Sequence, residues 1–390
     1  MSGSTDVSAP RPVSGSHGVH AHRVIFIDLA RALAVVFMVY GHSVDALLAP
    51  YYRTGTWFDI WQFQRGLTSC LFLALSGFAF SIATGRRWAQ HIAFSAALVR
   101  RTRRFLWFVV LGYALHFPVQ HLAQLATATP EQWRSFLAVD VLQLIGISFV
   151  LVQLLVMATR TRRGFMIVAL ALAAAIVVTT PLIWGIDWNR WLPLSIAAYM
   201  GPASGSQFPL FPWAAYILLG AGLGQVYARW GAGHLGTYAN LVLIAPGSVL
   251  VAVGLAVGAL APDLFGSSEF NWIPGQVMVR AGAVLLILAA MAHASGRLRR
   301  LPRVFGAVAQ ETLLIYFVHL CIVYGSIWNR GLAQIYGPTL TPAATALTVV
   351  LILASMVGLA ALWNWEKHAH QRIARWTSLV TGAALMYALV

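Results

Sequence analysis

From residue 24 onward the chain repeats one feature: apolar stretches of about 17 to 25 residues, separated by short polar joints. At 1.5 Å of rise per residue such a stretch covers the ~30 Å hydrocarbon core of a bilayer as an α-helix. The stretches fall near residues 24–48, 62–84, 103–120, 135–157, 165–185, 209–228, 238–260, 274–293, 304–327 and 342–365. Residues 376–390 form a shorter apolar run, roughly half a crossing to a full thin one, readable as an interfacial helix or an eleventh span. The expected fold is therefore all-α, a polytopic transmembrane bundle of ten to eleven helices within residues 23–375, followed by that C-terminal apolar helix. Residues 1–22 are Ser, Gly, Pro, Ala and His with few charges, too polar to bury anything, and read as a disordered tail. His17, His20 and His22 in that tail have no acidic or cysteine partners, so no metal site is expected there.

Composition matters because the net charge is +15, which in a soluble protein would raise the question of nucleic acid. Only 9% of residues are charged, against roughly 25% in soluble domains. The arginines do not form one patch. If the N-terminus is cytoplasmic, nineteen Lys and Arg residues fall in inside segments and five outside: Arg53, Arg65, Arg134, Arg190 and Arg330. Topology accounts for the basicity, and no nucleic-acid partner is needed. Asp28 and Arg31 interrupt the start of the first span and no cleavage pattern follows, so that span is expected to be retained and not removed as a signal peptide. The two cysteines, Cys70 and Cys321, each lie in an apolar run, which leaves no disulfide framework and no zinc spacing. One lysine, Lys367, among 26 Lys and Arg residues suggests a GC-rich bacterial genome, and so a bacterial inner membrane.

Ionisable groups inside spans cost about 2.5–3.5 kcal/mol each at the bilayer centre on insertion scales, so each marks a candidate site. They are Asp28, Arg31, Arg280, Glu311 and His319, with His42 near the outer end of the first span. Arg31 and His42 differ by eleven positions and share a helix face, three turns apart. Asp28 precedes Arg31 at i,i+3, where a carboxylate can hold the guanidinium. Counting rise from the inner ends puts Arg31 and Glu311 near ~10 Å, His319 and Arg280 near ~21 Å and His42 near ~27 Å. Plainer readings stand beside these: a packing pair for Asp28 and Arg31, satisfied neighbours for Glu311 and Arg280, a hydrogen-bonded packing histidine for His319, an interfacial one for His42.

The run Ile27-Asp28-Leu29-Ala30-Arg31-Ala32-Leu33-Ala34, ending in Tyr40-Gly41-His42, resembles the opening helix of the membrane acyltransferases. That group comprises the acyltransferase-3 and the heparan-α-glucosaminide N-acetyltransferase-like proteins. Leu71-Phe72-Leu73-Ala74-Leu75-Ser76-Gly77-Phe78 is similar to its second-helix Ser-Gly signature, and Tyr316-Phe317-Val318-His319 to its late Tyr-x-x-His helix. Phe208-Pro209-Leu210-Phe211-Pro212-Trp213, followed by Gly220-Ala221-Gly222-Leu223-Gly224, resembles the heparan-α-glucosaminide branch. Ala32 stands where the group often has glycine after the arginine.

The resemblance implies an integral membrane acyltransferase. Acyl-CoA, acetyl-CoA first, would serve as co-substrate from the cytoplasm, with a glycan or other hydroxyl or amine acceptor outside and no permanently bound cofactor or metal. Histidine near its neutral pKa suits removal of the acceptor's proton, and His42 is the expected base, with Arg31, Asp28 and His319 completing the catalytic set. Arg31, Ser76 and Glu311 are expected to line the donor's path, and Arg100, Arg101, Arg103 and Arg104 to meet its phosphates, unless they only obey the positive-inside rule. Tyr316 and Gln276 are candidate oxyanion donors. No inter-span segment offers a separate acceptor-binding domain, so the bundle and its outer loops must serve. The lipid bilayer is the remaining partner, and a homo-oligomer is compatible with all of this. The competing class is a transporter or flippase, whose buried charges would mark a path and not chemistry; no internal inverted repeat is visible.

Overall fold

The computed structural model describes residues 24–117, 119, 122–265, 273–298, 301–326, 328–373, 376, 377 and 380. The tail at 1–22 and most of 376–390 lie outside the described residues. The long helices are α1 (Ile25–Leu47), α2 (Thr56–Arg86), α3 (Ala96–Leu115), α4 (Val141–Thr159), α5 (Arg162–Trp184), α6 (Leu210–Val226), α7 (Ala245–Phe265), α8 (Ile273–Gly296), α9 (Arg303–Gln310), α10 (Thr312–Val323) and α11 (Pro342–Ala369).

Among the described residues, eight segments are long and apolar enough to cross a bilayer unaided, and a ninth crossing appears if α9 and α10 count as one span. Helix α3 is the tenth expected span. Its first half carries Arg100, Arg101, Arg103 and Arg104, so its apolar stretch is short. The run at 304–327, expected as one continuous helix, is broken at Glu311, where α9 and α10 meet at 74°. An apolar run fixes immersion in lipid but not straightness, and a helix may break at depth where protein covers the freed backbone groups.

Local sequence sets the helix starts. Ser95 accepts from the Leu98 amide (3.1 Å), Thr161 from Gly164 (3.1 Å) and Thr341 from Ala344 (3.3 Å). Each satisfies an N–H that has no intrahelical partner. Pro342 occupies the first turn of α11, where its missing N–H costs nothing.

Close backbone approach holds the centre together. A Cβ on Gly77 would overlap the Ile217 carbonyl, and one on Gly220 the Ala74 carbonyl, so α2 and α6 cross with glycine on both sides. This is the small-residue packing expected where lipid tails compete equally for apolar surface. The Ser76-Gly77 signature thus has a packing reason for its glycine. Helix α1 sits in the middle, packed on α2, α8, α9, α10 and α11. By contrast α7 is peripheral: 17% of its crossing window is buried, against 67% for α6.

Past α10 the chain forms a short antiparallel pair, Gly325–Ser326 with Asn329–Arg330. Gly325 takes φ +88°, a conformation that glycine adopts without strain. Leu340 then joins the end of α1, donating to the Leu47 carbonyl (2.8 Å) and accepting from the Ala49 amide (3.0 Å). These connections frame one end of the bundle, here the histidine end; the opposite end, where α2 stops and α3 begins, is the basic end.

Candidate active site

At the histidine end, α1 and α10 bring His42 and His319 into ring contact, with centroids 5.4 Å apart. Both residues come late in their helices, so a parallel pair of C-terminal halves presents them to each other. His319 is fully buried and His42 half-buried. The His319 Nδ1 lies 2.8 Å from the Ile315 carbonyl oxygen. A carbonyl only accepts, so Nδ1 donates and Nε2 is left with its lone pair. That Nε2 is buried and has no hydrogen-bond partner among the described residues, an unsatisfied acceptor of the kind that calls for a functional explanation.

Tyr324, one residue past α10, places its hydroxyl 3.1 Å from His42 Nδ1 and packs edge-on against the same ring. The Tyr324 O–H also points to the His42 carbonyl, at 3.5 Å. In the tautomer with a proton on Nδ1, the phenol oxygen accepts from Nδ1 and His42 Nε2 is left as a base. Beside this pair, Arg65 lays its side chain along Gly41, where a Cβ would stand 3.7 Å from its Cγ, and closes on Asp45 at 2.9 Å. Arg53 donates to the Asp45 carbonyl at 2.7 Å.

Two carboxylates and two tyrosines complete the surroundings. Asp140 caps α4 by accepting from the Val141 amide (2.7 Å) and lies 3.7 Å from His116 Nε2. It acts electrostatically on the Tyr316 and Tyr324 hydroxyls. Tyr316 packs edge-on against His319, its centroid 5.9 Å away, so this oxyanion candidate is near the imidazoles. Gln276, the other candidate, stands exposed at a separate cleft beside Arg280.

The remaining expected residues separate into two groups. Asp28 and Arg31 approach to 3.7 Å on α1, with Asp28 buried. Glu311, buried in the α9–α10 break, pairs with Lys367 Nζ at 2.5 Å and accepts from Asn364 at 3.2 Å. Its cation thus comes from α11. Ser76 is half-buried midway along α2 and makes no hydrogen bond to any described residue.

At the basic end Arg100, Arg103 and Arg104 are exposed, whereas Arg101 turns inward. Arg101 stacks over Phe80, 4.1 Å from the ring centroid, and donates to the Phe80 carbonyl at 3.3 Å. Three guanidiniums therefore remain open to solvent. Arg162 and Trp88 also serve structure there, donating to the Gly85 (2.6 Å) and Arg160 (2.9 Å) carbonyls. Burial, with Arg101 and Arg87 adding to it, lowers the pKa of His91 between α2 and α3 and favours its neutral form.

The sequence profile of the family described as "Heparan-alpha-glucosaminide N-acetyltransferase, catalytic" matches residues 23–254, more than half of the chain. The chain belongs to this family. The matched stretch carries Asp28, Arg31, His42, Ser76 and the four arginines of α3, while Glu311, His319 and Tyr324 lie beyond it. Comparison with curated proteins finds no match. Membership in the heparan-α-glucosaminide N-acetyltransferase catalytic family, with eight helices able to cross a bilayer, identifies a multi-pass membrane transferase of the acyltransferase type.

Tyr324, Asp140, Arg65 and Asp45 were not singled out as site residues from sequence. Asp140 carries a signal of its own, an acidic residue directly before the apolar start of a helix. Tyr324 carries none, because the turn that aims it depends on the break at Glu311.

Proposed function

We propose that the chain transfers an acetyl group from acetyl-CoA, held at the cytoplasmic basic end, to an amine or hydroxyl of a glycan presented at the extracytoplasmic histidine end. The bacterial inner membrane is the proposed location. The observation that carries this reading is the pair of touching imidazoles, one of which, His319, keeps a buried lone pair with no partner.

His42, half-buried and oriented through Nδ1 by Tyr324, takes the acceptor's proton on Nε2. The freed nitrogen or oxygen attacks the thioester carbonyl, the new bond to carbon forms and the C–S bond breaks. The proton passes by way of the two imidazoles to the departing thiolate, giving the acetylated glycan and CoA with its thiol restored. His319 contributes a second lone pair to stabilise the imidazolium. A positioned base of this kind is worth typically 10² to 10⁴ in rate.

For the donor, Arg100, Arg103 and Arg104 offer open guanidiniums suited to phosphate oxygens. Arg101 has its guanidinium committed to Phe80 and acts as a packing residue. Ser76, with no hydrogen bond to the described residues, and Arg31 stand between the two ends and suit the polar amides of a pantetheine arm. Glu311, held by Lys367, shapes that passage through the helix break.

Purified protein incubated with acetyl-labelled acetyl-CoA and an amino-sugar acceptor should yield a labelled covalent product. His42→Ala should lose it while keeping the wild-type melting behaviour. Movement of substrate across vesicles without any covalent product would replace this reading by that of a carrier.

A further inference from the structure

Arg280 lies inside α8, in the bilayer-crossing part of the molecule, yet it makes no hydrogen bond and no ion pair with any described residue. Its guanidinium rests flat on Gly66 of α2: a Cβ there would stand 3.0 Å from Nη2, 3.1 Å from Cζ and 3.3 Å from Nε. The groups that it acts on electrostatically are the Cys70 thiol and the Tyr216 hydroxyl, not carboxylates. A cation in the membrane without an anionic mate is costly, and such residues pair wherever they can.

The guanidinium borders a cleft of about 410 Å³ between α2, α7 and α8, lined also by Phe63, Leu255, Gln276 and Val279. The floor is glycine. Gly254 and Gly275 bring the α7 and α8 backbones together so closely that a Cβ on either would meet the other's carbonyl at 2.7 Å. Phe63 (44%), Leu255 (61%) and Gln276 are exposed, so the cleft opens sideways along helices that cross the membrane. Depth also fits. The 31 residues of α2 span about 46 Å, leaving roughly 8 Å beyond the core at each end, and Gly66 is about 15 Å from its start. The side chain of Arg280 leans toward the N-terminus of α8, at the histidine end, as helical side chains do. The guanidinium therefore sits a little below the headgroup layer, at a depth where a lipid phosphate can approach from the side.

We propose that this cleft holds the phosphate of a lipid, and that the lipid carries the acyl acceptor. Guanidinium forks match phosphate oxygens, Gln276 adds an amide donor, and the apolar walls receive the chain. The link to the acceptor comes from α2. Gly66 touches Arg280, while its neighbour Arg65 covers Gly41, beside His42. Helices α1 and α8 also pack on each other, so the phosphate site and the imidazoles flank one turn of α2. A sugar joined to the phosphate spans that gap. This assignment deepens the proposed function, on which it rests for the chemistry at His42.

Two acceptors that differ only in the phosphate test it: a glucosaminyl dodecyl phosphate diester and the uncharged dodecyl glucosaminide. Both are given with acetyl-CoA to the full-length protein in phosphatidylcholine nanodiscs. A charge-assisted contact predicts kcat/KM higher for the phosphate form by about tenfold or more. Arg280→Gln should bring the ratio close to one, Arg280→Lys should keep part of it, and Gly66→Ala, which displaces the guanidinium, should lower it. Equal kcat/KM for the two acceptors in the wild type, or a ratio untouched by Arg280→Gln, overturns the proposal.

Photoactivatable dodecyl phosphate, applied without acetyl-CoA, reads binding alone. It should label wild type and His42→Ala in the α2, α7 and α8 segments, and Arg280→Gln weakly. Such labelling in a protein that acetylates neither acceptor would refute the transferase reading and leave the lipid site standing. Transfer without preference would do the reverse. Phosphatidylglycerol that displaces the probe without changing the acceptor ratio would assign the cleft to bulk lipid and overturn the acceptor assignment.

Discussion

Two polar layers of the bundle differ in how their charges are met. In the layer near the start of α1, the two buried carboxylates have counterparts: Asp28 beside Arg31, Glu311 clasped by Lys367 and Asn364. In the layer near the end of α1, His319 Nε2 has no partner, and Arg280 no ion pair with a described residue. Polar groups removed from water are usually satisfied by the protein itself. Where they are satisfied, their work is holding helices together; at His319 and Arg280 the proposed partner is a substrate. The contrast separates structure from chemistry more sharply than residue type does, since both layers contain ionisable groups at similar expense to folding.

The largest effect expected from breaking this contrast is at the unpaired layer. His319→Ala should lower the transfer rate by about 10² to 10⁴ while the thermal midpoint in detergent stays near wild type. If the variant unfolds while retaining turnover, the residue belongs with the paired layer. Asp28→Ala should do the opposite in kind, lowering stability by about 1–3 kcal/mol in thermal or denaturant unfolding, because it strips a buried carboxylate from a part-exposed guanidinium. Full stability with abolished turnover would move Asp28 into the chemistry. Tyr324→Phe removes only a hydroxyl from His42 Nδ1, and about a tenfold loss in kcat with little change in KM is expected from a less well oriented base. A wild-type kcat would show that the ring is held by packing. Smallest should be Lys367→Met, near 1 kcal/mol of stability. Lys367 is 40% exposed, and Asn364 keeps its hydrogen bond to Glu311.

Much of the frame was readable in the residues, because immersion in lipid leaves a one-dimensional trace. The apolar run of α1 and the i,i+3 spacing of Asp28 and Arg31 required no tertiary information, and the structure has both. The meeting of His42 with His319 was legible only as two histidines on unrelated helices, with heights counted about 6 Å apart. Height alone did not say which neighbour Arg280 faces: its guanidinium lies on Gly66 of α2 and not against His319. Rise along a helix gives depth, and azimuth depends on which neighbour it packs against. The break at Glu311 left no mark in hydropathy, since the residues on both sides are apolar. Its partner Lys367 read as a basic loop residue, yet it sits inside the last turn of α11. For the same reason Tyr324 was invisible: its aim follows from a turn 13 residues upstream.

The bend between α9 and α10 makes α10 a half-length rod of 12 residues, about 18 Å long, that starts beside the Glu311–Lys367 pair and carries His319 toward its far end. Such a rod behaves as a lever whose pivot is the Glu311–Lys367 clasp. A rotation at that pivot would sweep the imidazole at the tip through a larger arc, so the packing at Glu311 bears on how the two histidines align.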